Sequence, residues 1–149
     1  MIAYQARMGD AASQGAMTLQ LPPAGPILHG WQTRNLMSGL TTHVLDTMHG
    51  RPAAGVALRL LRDGHAVAAA VTNADGRCDA PLLTGEEMNA GAYRLEFDVG
   101  AYFRDLGVEL PDPAFLETVI IDFGVADPAA HYHVPLLVSP FAYSTYRGS

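Results

Sequence analysis

Two histidines two residues apart, His131 and His133 in HYHVP, stand out in this 149-residue chain as the residues whose type and spacing could do chemistry. On an extended segment they share one face. Such a pair could ligate a metal, exchange protons as general acid or base near neutral pH, or be two surface residues. A metal site needs a third ligand, and His43 in THVLD is the good strand-borne candidate. With no HExxH motif and a single cysteine, Cys78, no metal centre is expected. Arg77 follows an Asp75-Gly76 turn, where local pattern alone reads a surface arginine. His29 lies in the N-terminal stretch and His49 and His65 sit at turns, so these three are read as structural. There is no GxSxG elbow and Cys78 has no thiolate-activating signature, which disfavours covalent catalysis; GxGxxG and the P-loop are absent too.

The elements that must position these groups are strands. From residue 40 onward, apolar and polar residues alternate over five to eight positions, with turn residues between the runs. Thr41 to Asp46 reads as a strand, followed by a turn at His49 to Pro52. Val56, Leu58 and Leu60 face one way, and Asp63-Gly64 makes the tight turn into His65 to Thr72. Asp75-Gly76 leads into a short strand around Asp79 to Leu83. Tyr93, Leu95 and Phe97 alternate with charged neighbours, as do Val119, Ile121 and Phe123 with polar or apolar ones. Ala101 to Leu106 is the one helix expected, ended by Gly107. In 131–139, Tyr132, Val134, Leu136 and Val138 form a core face, and His131, His133, Pro135, Leu137 and Ser139 a second, half-apolar face. A last strand after Pro140 puts Ser144 and Tyr146 together. About eight strands and no long crossover helix predict an all-β, two-sheet β-sandwich with one short helix.

Composition bounds the function. Nine arginines, no lysine and fifteen acidic residues give a formal charge of −6, which offers no counterion-release drive toward nucleic acid or an anionic membrane. No apolar run approaches the ~18 residues that span a bilayer, so a soluble protein is expected. Residues 1–39 carry only Arg7, Asp10 and Arg34 as charges and keep no strand or helix period, and are read as a tail or loosely docked extension before a domain over 40–149. Its start lacks the sustained apolar middle of a secretory signal, which makes the cytoplasm the default location. Met37 opens MSGLTTHVLD, where the ordered pattern begins, and is a candidate alternative start.

Three segments carry a family resemblance: THVLDTMHGRPAAGV at 42–56, TNADGR at 72–77 and HYHVPLLVSPFAYSTYRGS at 131–149. They resemble the transthyretin-related 5-hydroxyisourate hydrolases, whose C-terminal signature YRGS closes this sequence. The resemblance covers about residues 40–149 and leaves 1–39 unexplained. Val138 and Ala142 stand where the family more often has Leu and Gly, conservative departures that touch no expected catalytic group. It implies a transthyretin-like (prealbumin-like) sandwich assembled as a homotetramer, with sites in a channel between dimers. It assigns the site to His43, Arg77 and His133 as catalytic groups. Substrate binding falls to His43, Arg77, Tyr146, Arg147, Gly148 and Ser149.

The activity implied is hydrolysis of a ring amide of 5-hydroxyisourate to 2-oxo-4-hydroxy-4-carboxy-5-ureidoimidazoline, in urate breakdown toward allantoin. His43 and His133 are expected to share water activation and proton return, in either assignment. Arg77 offers a planar cationic fork to the oxyanion. No cofactor is needed. The alternative is a transthyretin-like carrier that binds a small aromatic ligand without chemistry. The carriers place Lys and Glu near the positions of His43 and Arg77 and lack YRGS.

Overall fold

The alternating runs fold as strands. The structure, a computed structural model, describes residues 38–148. In chain order the elements are β1 (Gly39–Thr41), β2 (Val44–Asp46), β3 (Arg51–Pro52), β4 (Ala57–Arg62), β5 (His65–Val71), β6 (Leu83–Thr84), β7 (Gly91–Asp98), α1 (Val99–Asp105), β8 (Thr118–Val125), β9 (His131–His133), β10 (Leu136–Ser139) and β11 (Ala142–Thr145).

One layer is the antiparallel sheet β5-β4-β7-β8. Its register puts Leu60 opposite Leu95, and Leu95 opposite Ile121, so the alternating apolar residues of three strands meet on one buried face. The Asp63-Gly64 hairpin forms as expected, both residues at positive φ (51° and 78°), which only short polar residues and glycine adopt cheaply.

The other layer is interrupted. β6-β1-β9 and β11-β10-β2-β3 are separate ladders. The chain joins them at Thr42-His43, between β1 and β2, and at Val134-Pro135, between β9 and β10. Backbone bonds hold the seam: Val134 N–H donates to the Thr41 carbonyl and Leu136 N–H to the His43 carbonyl, both at 2.9 Å. Pro135 has no N–H to give a ladder. Leu40, Val44, Tyr132, Val134, Leu136 and Val138 are buried against the first layer. At about 1.5–3 kcal/mol for each large apolar side chain removed from water, this shared core holds the two ladders as one layer.

The two-sheet sandwich is therefore present, with finer segmentation than the period predicts. The runs 41–46 and 131–139 are each two strands, the strand expected at 79–83 is only Leu83–Thr84, and the turn at 49–52 ends in β3. The helix starts at Val99 rather than Ala101. Val99, Tyr102 and Phe103 make an i, i+3, i+4 stripe that is buried, so the helix face begins where that stripe begins. It ends as expected before Gly107, at φ 79°. Apart from Ser38 and Gly39, the expected extension over 1–39 lies outside the described residues, as does Ser149. Among the described residues no helix is long and apolar enough to cross a membrane.

Candidate functional site

Arg77 is delivered by a turn pinned to the seam. Asn73 Oδ1 accepts the N–H groups of Asp75 (3.0 Å) and Arg77 (3.2 Å), and Gly76 N–H donates to the Asn73 carbonyl at 2.9 Å. Val44 N–H in turn donates to the Gly76 carbonyl at 2.8 Å. Gly76 has φ +71°, and a Cβ there would run into the Val44 carbonyl oxygen, so both conformation and space require glycine. The result is an isolated antiparallel bridge between His43 and Arg77, two residues 34 positions apart.

His43 lies in the gap between β1 and β2, half-buried. Its Nε2 is fully buried and finds no hydrogen-bond partner among the described residues. A buried, unpaired polar nitrogen costs about 1–3 kcal/mol, which a bound ligand or water would relieve. His133 ends β9, paired in parallel with Thr41. Burial lowers its pKa, and the positive field of Arg77 and the nearby His43 and His131 add to the effect, so the imidazole is neutral at pH 7. Thr41 Oγ1 lies 2.9 Å from His133 Nδ1 and 3.1 Å from His131 Nε2. This cation, two neighbouring histidines and an orphaned nitrogen can bind a polar ring, move protons and stabilise an oxyanion.

The C-terminal segment returns to the same place. Gly148 N–H donates to the His133 carbonyl at 2.8 Å, and His133 N–H to the Gly148 carbonyl at 3.4 Å. A Cβ at Gly148 would lie 2.8 Å from His133 Cδ2, so glycine is what lets the tail lie against the imidazole. The Arg147 guanidinium sits 4.6 Å above the Tyr132 ring. Tyr146 is exposed. The structure thus brings His43, Arg77, His133 and Gly148 together; Arg147 is engaged on Tyr132, Tyr146 points to no described partner, and Ser149 is outside the described residues.

Two features went unread in the sequence. Thr41 is one: only the pairing of Thr41 with His133, across 92 positions, reveals it. The other is Asp46, whose buried carboxylate accepts His49 N–H (2.9 Å), the His49 ring at Nδ1 (2.6 Å) and the Tyr102 hydroxyl (2.8 Å). Burial alone would raise the Asp46 pKa, but the His49 and Tyr102 hydrogen bonds outweigh it and hold it below the usual carboxylate range. Burial, with the Asp46 charge beside it, pushes the Tyr102 phenol up to about 12. His49 is structural, as its turn position suggests: it ties the β2–β3 turn to Asp46, and Asp46 in turn ties β2 to α1 through Tyr102. Among the described residues no three His, Cys, Asp or Glu side chains are grouped to hold a metal ion.

Fold and site together define a two-sheet sandwich protein with a histidine–arginine cluster seated at a seam in one sheet. The chain belongs to the HIUase/Transthyretin family, whose model matches residues 40–148. It is 57% identical over 117 residues to the 5-hydroxyisourate hydrolase of Ralstonia nicotianae, covering 76% of this chain and 100% of that protein. The solved 5-hydroxyisourate hydrolase of Klebsiella pneumoniae superposes with a TM-score of 0.65 at 41% identity, over 76% of this chain and 100% of that one. Sea bream transthyretin, solved in complex with thyroxine, superposes with a TM-score of 0.64 at 35% identity, over 74% of this chain and 94% of that one.

Proposed function

We propose that this protein hydrolyses 5-hydroxyisourate, opening its six-membered ring to 2-oxo-4-hydroxy-4-carboxy-5-ureidoimidazoline, with His43, Arg77 and His133 as the catalytic groups. The observation that carries the reading is the buried, partnerless Nε2 of His43 beside a neutral His133 and the Arg77 cation. Water loses a proton to one histidine as its oxygen adds to the ring carbonyl carbon. The carbon–nitrogen bond then breaks and the leaving nitrogen takes a proton, so one water is consumed per ring opened. Arg77 stabilises the oxyanion, where one lost donor costs on the order of 10²- to 10³-fold. Gly148 and its neighbours Tyr146, Arg147 and Ser149 close the site around the substrate. These roles need no cofactor.

Assembly belongs to the same proposal. Thr41, His43 and Leu45 on one strand run, and His133, Leu137 and Ser139 on the next, are all half-buried on the outward face of their layer. A half-buried face that sets Leu45 and Leu137 among histidines and hydroxyls suits a second copy, and a homotetramer with sites between dimers in the cytoplasm is the arrangement we propose. The domain spans 40–149, and a chain starting at Met37 is expected to keep activity and assembly. A truncated chain that fails to fold would show that the extension packs onto the domain.

The test is to supply freshly generated 5-hydroxyisourate and follow its ultraviolet decay with and without protein. Acceleration, with the ring-opened acid as product, supports the proposal. No acceleration, together with tight binding of an aromatic ligand, would replace it with the carrier reading.

A further inference from the structure

The Thr41 hydroxyl lies between two imidazoles, 2.9 Å from His133 Nδ1 and 3.1 Å from His131 Nε2. A hydroxyl has a single hydrogen to donate. Among the described residues the Thr41 hydroxyl has no third partner, so its hydrogen is spent on one ring and the other bond is donated by a ring N–H. This leaves two arrangements. In the first, His131 Nε2–H donates to Thr41, and Thr41 donates to His133 Nδ1, which leaves His133 carrying its hydrogen on Nε2. In the second, His133 Nδ1–H donates to Thr41 and Thr41 donates to a bare His131 Nε2, which leaves His133 Nε2 with a free lone pair.

Only the second arrangement makes His133 a base. Its Nδ1 is committed to Thr41, its Cδ2 edge lies against Gly148, and its Nε2 takes no hydrogen bond among the described residues, so Nε2 is the nitrogen left for a water. We propose that Thr41, acting through the exposed His131, is a positioning residue that fixes His133 in the Nδ1–H tautomer and so assigns it the base role in the ring opening. The inference rests on the hydrolase reading above, and leaves His43 to return the proton. When His133 Nε2 takes the proton from water, the Nδ1–H bond to Thr41 persists and becomes charge-assisted, so nothing in the bridge has to rearrange. His131 and His133 are linked through one hydroxyl, in the field of His43 and Arg77, the other charged or titratable groups that face His133.

The test reads the tautomer directly. In the full chain, labelled with ¹⁵N histidine and free of substrate at pH 7.5, His133 is expected to show Nδ1 protonated and Nε2 bare. Thr41→Val should move the hydrogen toward Nε2, and Thr41→Ser should not. In the hydroxyisourate assay Thr41→Val should lower kcat about 10-fold, part of the 10²- to 10⁴-fold that a general base supplies, with KM within about two-fold; Thr41→Ser should restore it. If Thr41→Val does not fold, His131→Ala takes its place, and should give a mixed His133 tautomer and a lowered kcat. Unaltered protein with hydrogen on His133 Nε2, or a folded Thr41→Val with unchanged tautomer and kcat, would overturn the inference. Hydrolysis with the wrong tautomer sinks the inference alone; the expected tautomer without any hydrolysis sinks the hydrolase reading and leaves the tautomer control standing.

Discussion

Gly148→Ala separates the stability of the fold from the geometry of the site. The added Cβ would sit 2.8 Å from His133 Cδ2, 3.1 Å from its Cβ and 3.3 Å from its Cγ. Against a carbon–carbon optimum of about 3.5 Å, the closest of these falls short by roughly 0.7 Å. Either the ring or the tail must give way. His133 is held by Thr41 and by its strand pairing to β1, whereas Gly148 is held at the chain end by two backbone bonds of 2.8 and 3.4 Å. Those two bonds are worth about 0.5–1.5 kcal/mol each, together no more than the roughly 1–3 kcal/mol an overpacked contact costs. The tail therefore yields. Global stability should fall by no more than about 1–2 kcal/mol, since the core is untouched. Activity should fall much further, because a displacement approaching 1 Å in a group that orders the reactants costs on the order of 10²-fold. Urea unfolding and the ultraviolet decay assay on the same preparation read both quantities. Activity within two-fold of the unaltered protein would mean that the tail has no part in the site; a collapse in stability matching the loss of activity would mean that it is part of the core.

Replacing His43 or His133 by alanine should cost about 10²- to 10⁴-fold in turnover, and Arg77→Ala about 10²- to 10³-fold, with strand content by circular dichroism unchanged. Because burial and Arg77 lower the His133 pKa, its base form persists to lower pH than that of a free histidine, so the acid limb of kcat/KM should fall below pH 6.5 and move upward in Arg77→Ala; a limb at or above 6.5 contradicts the assignment. Asp46→Asn should cost about 1.5–3 kcal/mol near pH 7 through its hydrogen bonds to charged or polar partners. Asp46 is held below its ordinary value of 3.8 in the fold, so its contribution is complete above the unfolded value and disappears as pH falls through the folded one. Urea midpoints of the two proteins should converge in acid, and a gap independent of pH would refute this.

Much of the fold was legible because burial imposes a period on a strand. Tyr132, Val134, Leu136 and Val138 follow it, and all four are buried. What the period cannot show is a break in a ladder, because the side chains keep alternating across it. Thr42 and Val134 remain inward on either side of the seam, so 41–46 and 131–139 read as unbroken strands. The site was legible in part and by a different route. His43, Arg77 and His133 lie in three separate motifs, and local pattern alone left metal ligation, proton transfer and plain surface as open readings. Family resemblance named them; the pinning of the Gly76 turn on Val44 is the physical reason that two of them meet. Asp46 carried a usable signal, since it shares its parity with Val44 and so had to be a buried carboxylate in need of donors. Thr41 carried none, because its role arises from the parallel pairing with His133.

Hydrolases and carriers can share this frame because the two faces of the interrupted layer answer to different requirements. On the inward parity, Leu40, Thr42, Val44 and Asp46 face Tyr132, Val134, Leu136 and Val138 at the sandwich core, all buried. Their identities are constrained by volume and by hydrogen bonds such as that from the Thr42 hydroxyl to the Val134 carbonyl at 2.8 Å. On the outward parity, Thr41, His43 and Leu45 face His133 and Leu137, half-buried, so substitutions there change what the surface binds or does at little cost to the core. The seam sharpens this division. With its ladder interrupted, the backbone at His43 leaves room for the Arg77 turn to bridge to it, and the chain end bridges to His133 in the same way. An unbroken pair of strands would give a stronger ladder at these positions and no place for either bridge.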